Sequence, residues 1–345
     1  MVPQQAPTAR PAGWRFSGLN RTSGGPRRFR MRAAGGLRLG TMDGISIPAS
    51  LGRMLPPGAA AACRGPGDEG AVQVFGSSEP LPVFSVTKMF VAAGVLRAVD
   101  AGRFKLADPL ASRLPGAPAG RTISQVLTHT AGMGNYASSP GYLAAVRQRP
   151  ADPWSLEDIA AAGSASEPGP FAYSNTGYWY LGALLEEVSG MSLGQYLHRE
   201  IFEPADMAST RYPDPETALT DSGYSTLWAG PAGAAFSTPA DLLRFGDLVT
   251  ERNPLFPSSL SPAMRAAFMD SVPVAAPAPW SAPRYGAGVM IDTDLQLWGH
   301  GGAGPGYRAA VFTSRATGIA AAAIAPETSG FSPEETLVSL LGPKD

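Results

Sequence analysis

Ser85-Val86-Thr87-Lys88 sets a hydroxyl and an amine three residues apart, and no other Ser-x-x-Lys occurs in the chain. On a helix that spacing puts both side chains on one face, one turn from each other. Serine is a poor nucleophile until a neighbouring base takes its proton. Lysine can be that base only when neutral, and burial lowers its pKa by disfavouring the charged form. Met89, Phe90 and Val91 supply apolar surroundings of that kind. A helix opening at Ser85 would also leave a backbone N–H where an oxyanion develops. The same four residues equally fit a serine helix cap followed by a lysine whose stem lies along apolar surface.

Two other clusters carry polar chemistry. Tyr173-Ser174-Asn175 follows the turn-forming Glu167-Pro168-Gly169-Pro170. A tyrosine on a turn accepts or relays a proton, and Asn175 offers a donor and an acceptor, enough to hold a lysine and a substrate amide together. Ordinary helix-entry chemistry before residue 178 is the competing reading. His300-Gly301-Gly302-Ala303-Gly304 ends a strand expected over 295–299, and glycines in a strand mark close approach by a ligand or another backbone. A Gly-rich hairpin with an exposed histidine would look the same. No strand-loop-helix pattern accompanies it, so it is not a phosphate loop. Of the other two histidines, His129 reads as a loop anchor and His198 as a surface residue. Cys63, in an apolar run, reads as core.

The elements that must position these residues follow from periodicity. Short Ala/Val runs at 58–63 and 70–76 predict two antiparallel strands. Residues 84–106 switch to helical spacing with Ser85 as a possible cap, and Gly102 ends the run. A short helix is expected over 122–127, followed by the loop from His129 to Gly134. Helical patterns follow at 156–162, 178–189, 193–201, 239–249 and 262–269. Period-two patterns return at 285–292, 295–299, 307–314 and 318–325. Ser332-Pro333-Glu334-Glu335 reads as a capping box with proline at the first helical position, opening a last helix to Leu341. Strands at both ends and helices between them predict an α+β fold. One antiparallel sheet is built from both chain ends and flanked by helices, with a mainly helical lobe inserted at about 107–274.

Composition narrows the function. The 345 residues are 44% hydrophobic and 16% charged, which supports a sizeable core over residues 42–345. Residues 1–40 hold eight arginines and no acid, leaving 19 basic against 28 acidic residues in the remainder. Residues 1–41 therefore read as a basic, disordered leader on an acidic body, which argues against nucleic-acid binding. One cysteine excludes an intramolecular disulfide and any cysteine-only metal site, and three scattered histidines leave little for a zinc site. No run approaches the length of a membrane span and no signal-peptide core is visible, so a cytoplasmic protein is expected. Oligomeric state carries no signature.

In order along the chain, these pieces resemble the serine β-lactamase and penicillin-binding protein superfamily, and within it the class C-like esterases, D-aminopeptidases and DD-carboxypeptidases. The resemblance rests on 84–88 (Phe-Ser-Val-Thr-Lys), 123–132, 168–175, 201–207, 237–242, 285–288 and 299–302. It implies that Ser85 is the nucleophile, Lys88 its base and Tyr173 the residue that passes protons to the leaving group. Asn175 would hold Lys88 and the substrate amide. His300 stands where true β-lactamases of this branch have lysine, and Gly302 and Ala303 follow it on the substrate strand. The backbone N–H groups of Ser85 and Ala303 would form the oxyanion hole. The implied reaction is acyl transfer from a small ester, amide or peptide through an acyl-enzyme, with no metal or cofactor required. Water as acceptor gives a hydrolase, an amine a biosynthetic transacylase, and loss of turnover a silent binding protein. Histidine at 300 removes a permanent positive charge, which shifts expectation from penicillin hydrolysis towards esterase, peptidase or transacylase chemistry.

Overall fold

The computed structural model describes residues 46–65, 72–249 and 260–343. The Arg-rich leader and Lys344 lie outside the described residues. Strands β1 Ala60–Arg64, β2 Gln73–Gly76, β3 Leu81–Pro82 and β4 Phe236–Ser237 precede β5 Val272–Pro273, β6 Pro283–Tyr285 and β7 Met290–Asp292. Then come β8 Leu297–Gly304, β9 Tyr307–Ser314 and β10 Ala320–Pro326. Eight of these form one sheet in the order β2-β1-β10-β9-β8-β7-β6-β5, and β3 pairs β4 separately. Every neighbouring pair is antiparallel, and β10 bridges the two chain ends by pairing with both β1 and β9. The α+β class and the sheet built from both termini are those the sequence predicts.

The helices are α1 Ser46–Met54, α2 Thr87–Asp100, α3 Ile123–Leu127, α4 Pro140–Gln148 and α5 Leu156–Ala162. They continue with α6 Asn175–Ser189, α7 Leu193–Leu197, α8 Pro239–Val249, α9 Pro262–Met269 and α10 Pro333–Leu341. Three sequence expectations change. The helical pattern at 193–201 divides, because α7 passes into a wider π-type turn over His198–Phe202. The strand expected over 285–292 is broken by a turn, where Gly286 N–H bonds Val289 O and Gly288 adopts φ +72°. Helix α4 was not legible: it is half-exposed, with Leu143 in solvent, so no clear apolar stripe marks it.

Helix α2 is buried all round from Thr87 to Leu96, as a helix running through the core must be. Phe90 sits edge-on to Phe202 and Phe245 at 5.3 and 5.0 Å, tying α2 to the π turn and to α8. Small side chains in β10 (Ala320 to Ala323) let α8 pack on one face of the sheet and α10 on the other. The two faces form separate apolar clusters, one with α2 and the helical segment, the other with α1 and α10. Arg64 on β1 bonds Asp247 on α8 at 2.5 Å, pinning that helix to the sheet. Cys63 is buried as core, and His198 is exposed. Among the described residues no helix is long and apolar enough to cross a membrane.

Candidate active site

Ser85 lies in a 3₁₀ turn, Phe84–Val86, that leads into α2. It does not cap the helix: Val86 occupies the cap position, and no side chain caps either segment. The serine hydroxyl is thereby left for other partners. Phe84 before it holds φ +45°, a left-handed conformation that bulky residues rarely adopt.

Lys88, one turn further on, is fully buried. Its Nζ lies 2.7 Å from Asn175 Oδ1, 2.7 Å from Ala232 O and 3.2 Å from Ser85 Oγ. The ring centroids of Tyr173 and Tyr178 are 4.8 and 5.5 Å away. Burial without a carboxylate partner among the described residues holds the amine pKa well below its ordinary value. A neutral amine has two N–H groups and one lone pair. Here the two acceptors, Asn175 Oδ1 and Ala232 O, take the N–H groups, and the lone pair is left for the Ser85 hydroxyl proton.

Tyr173 donates its hydroxyl to Ser85 Oγ at 3.0 Å. Burial pushes its phenol pKa up, the bond to Ser85 opposes the shift, and the charge of Glu334 adds to it. Tyr173 is therefore a protonated phenol rather than a phenolate. Asn175 is the first residue of α6, whose cap Ser174 accepts from Gly177 N–H at 3.1 Å. Asn135 Oδ1 accepts both the backbone N–H and the Nδ2–H of Asn175, at 3.3 and 3.2 Å, which turns Asn175 Oδ1 towards Lys88. Asn135 and Ala232 were missed in the sequence. The only signal for Asn135 was its place in the loop after Gly134, and a backbone carbonyl leaves none.

His129 anchors the other side of the tyrosine turn. Its Nδ1 accepts from Ser174 N–H at 3.2 Å and its carbonyl from Ala172 N–H at 2.8 Å. Its ring lies 4.4 Å from that of Tyr173 and 4.7 Å from that of Tyr285. Burial above all holds its pKa well below the usual value, so the ring is neutral. The sequence reading of a loop anchor describes this placement.

His300 lies inside β8, which runs through 297–304 rather than ending at 299. Its ring is fully buried: Nδ1–H donates to Gly301 O, so Nε2 accepts from the Tyr285 hydroxyl at 3.0 Å. Burial and the neighbouring Lys88 push its pKa down to about 3. The ring carries no charge at neutral pH, and both its nitrogens are engaged inside the protein.

What β8 offers at its edge is backbone. β7 pairs only with residues 297–299 of β8, whereas β9 pairs along its whole length, so 300–304 has one edge open beyond β7. Gly304 and Tyr307 flank a two-residue turn and form its closing hydrogen-bonded pair, and alternation places Gly302 and His300 in bonded pairs as well. The N–H groups of Gly301 and Ala303 therefore point away from β9, towards the open edge. Gly302 permits the approach of this strand to the serine turn. A Cβ there would overlap Val83 O and lie only 3.1 Å from Ser85 N. The structure thus brings Ser85, Lys88, Tyr173, Asn175, Gly302 and Ala303 to one place, with His300 buried on the same face of β8 as Gly302.

Comparison with known proteins identifies the family and the fold. Residues 57–336 match the family model described as Beta-lactamase. The D-alanyl-D-alanine-carboxypeptidase/endopeptidase AmpH of Escherichia coli is 28% identical over 187 residues, covering 47% of this chain and 47% of that protein. Penicillin-binding protein 4 of Amycolatopsis lactamdurans is 28% identical over 192 residues, 47% of this chain and 48% of its own length. The chain thus matches about half the length of these curated relatives. A D-stereospecific amidohydrolase from Streptomyces sp. superposes with a TM-score of 0.68 at 25% identity, covering 82% of this chain and 94% of that one. D-amino acid amidase from Ochrobactrum anthropi shares the fold, with a TM-score of 0.70 at 20% identity, over 86% and 96% of the two chains.

Proposed function

The chain belongs to the beta-lactamase family, and on that premise we propose that it is a serine acyl-transfer enzyme whose nucleophile is Ser85. The observation that carries this is the position of Ser85 Oγ, within hydrogen-bond reach of both Lys88 Nζ and the Tyr173 hydroxyl. Lys88, neutral through burial, takes the Ser85 proton as Oγ attacks an ester or amide carbonyl carbon. The carbonyl π electrons move to oxygen, and the N–H groups of Ser85 and Ala303 hold the oxyanion. The ammonium formed on Lys88 faces the Tyr173 and Tyr178 rings, whose π faces favour a cation.

Collapse of the tetrahedral intermediate re-forms the carbonyl and breaks the bond to the leaving group. Tyr173, a protonated phenol beside Oγ, gives its proton to the departing oxygen or nitrogen, and the Lys88 ammonium replaces it. Asn175 keeps Lys88 aimed at Oγ and offers Nδ2–H to the acyl side of the substrate. His300 braces β8 through its bond with Tyr285, and the contact with substrate comes from the strand's backbone. An acceptor then attacks the acyl-enzyme by the reverse sequence. Water yields an acid; an amine yields a new amide.

The test is labelling by a fluorophosphonate probe and turnover of a chromogenic short-chain ester, compared with Ser85→Ala. Labelling and turnover confined to the wild type are expected. Equal behaviour of the two proteins would sink the proposal. Adding amines and analysing the products separates hydrolysis, which leaves only free acid, from transacylation.

A further inference from the structure

Glu334 lies across β8 from Ser85, in the first turn of α10. Its half-buried carboxylate rests on Gly301: a Cβ on that glycine would overlap Oε2 and stand 2.9 Å from Cδ. Oε1 accepts from Trp280 Nε1–H at 3.0 Å. Gly301 is one of the two residues whose backbone groups face the open edge, so the carboxylate sits directly beneath that edge. Its charge also reaches Tyr173, whose phenol it makes harder to ionise. Burial raises the Glu334 pKa, the Trp280 bond opposes that rise and the neighbouring Glu335 adds to it, while the N-terminal turn of α10 favours the anion.

The surrounding charges give this acid its meaning. Lys88, His129 and His300 are all held neutral by burial. Among the described residues no cation pairs with Glu334, and Arg308, opposite Ala303 on β9, lies 3.8 Å from Glu327. Tyr173 protonates the departing atom in the reaction above, so the leaving group lies on the Tyr173 side of the carbonyl. That is the side on which the Glu334 charge is felt.

We propose that Glu334 is a specificity residue that reads the leaving group, selecting one that bears an ammonium over one that bears a carboxylate. The proposal rests on acyl transfer at Ser85 and adds to it the class of substrate: esters or amides of amino alcohols and of cationic amines, in preference to peptides ending in a free carboxylate. A fixed half-buried charge acts on a substrate charge several ångströms away through a medium less polar than water, so the discrimination is larger than at an open surface.

Two short-chain acyl esters of matched shape test it, one of choline and one of its uncharged analogue 3,3-dimethylbutanol. The wild type is expected to favour the choline ester by about tenfold in kcat/KM, equivalent to about 1.4 kcal/mol. Glu334→Gln keeps an oxygen for Trp280 and is expected to bring that ratio close to one. High salt should compress the wild-type ratio as well. A wild-type ratio near one, or a preference that survives in Glu334→Gln, overturns the proposal even when the neutral ester is hydrolysed in a Ser85-dependent way. If neither ester is turned over and no Ser85-dependent labelling occurs, the acyl-transfer reading falls and this one with it. Should Glu334→Gln fail to fold, the wild-type ratio and its salt dependence decide alone.

Discussion

Gly302→Ala probes the contact that assembles the proposed oxyanion hole. The added Cβ would overlap Val83 O and come to 3.2 Å from Val83 C and 3.1 Å from Ser85 N. It would fall about 1 Å short of an ordinary C···O separation. Both obstacles are backbone, so no side chain can swing aside. Relief must come from moving β8 and the serine turn apart by a comparable distance. That displacement separates the N–H groups of Ser85 and Ala303, which must converge on one oxygen. Misplacing a catalytic group by 1 Å costs about 100-fold, and losing one oxyanion donor about 10²–10³-fold. The expected result is a kcat for a short-chain ester lowered by about two orders of magnitude, with KM changed far less because the oxyanion exists only in the transition state. Overpacking should also cost about 1–3 kcal/mol, visible as a few degrees in Tm. Steady-state kinetics with a thermal melt check both. A kcat within about threefold of wild type in a folded variant would refute the close approach of β8 to Ser85 as the source of the hole.

Lys88 makes two outcomes follow from one shift. Its pKa is lowered by burial, so kcat/KM should rise with pH as the free amine forms, at pH values below those at which an ordinary lysine titrates near about 10.4. Between the folded and unfolded pKa values the unfolded chain binds the extra proton, so stability also rises with pH across that window. Lys88→Met should be inactive and should lose that slope in a pH series of denaturant melts, and an unchanged slope would count against the buried neutral amine. Tyr173→Phe keeps the ring over Lys88 but removes the proton donor, so ester turnover should fall by about 10²–10⁴-fold. Fluorophosphonate labelling of Ser85 should suffer far less, because fluoride leaves without a proton. Equal losses in both assays would show that Tyr173 acts on Ser85 itself rather than on the leaving group.

Much of this protein was legible in the chain because the signals were local. The prolines opening α8, α9 and α10 and the Ser332 cap set helix starts that the structure keeps, although of the expected capping box only the bond from Glu335 N–H to Ser332 forms. Helix spacing alone required Ser85 and Lys88 to share a face. The alternation of chain segments fixed which ones could share a sheet. Where the sequence reading gave way, a tertiary contact overrode a local pattern. Ser85 looks like a helix cap, yet its hydroxyl is claimed by Lys88 and Tyr173, so Val86 takes the cap position with no side chain to fill it. The run at 285–292 looks like one strand, but a turn at Gly288 brings it against Ala92 and the Lys88 carbonyl.

Residue types determined what chemistry the chain carries: one serine, one lysine a turn away, one tyrosine, and glycines where backbones must meet. The tertiary structure decided the protonation states and the directions of the groups. Lys88 can serve as the proposed base only because the fold buries it with no counter-ion among the described residues, and charge burial depends on every surrounding element rather than on neighbours in sequence. His300 and Glu334 show the same division. Both are ionisable by type, and the fold leaves the first buried and uncharged against Tyr285 and places the second beneath the open edge of β8, on the opposite face. Asn135 and the Ala232 carbonyl, which aim Asn175 and Lys88, belong wholly to that second category, since the contacts they make span 40 and 144 residues of chain.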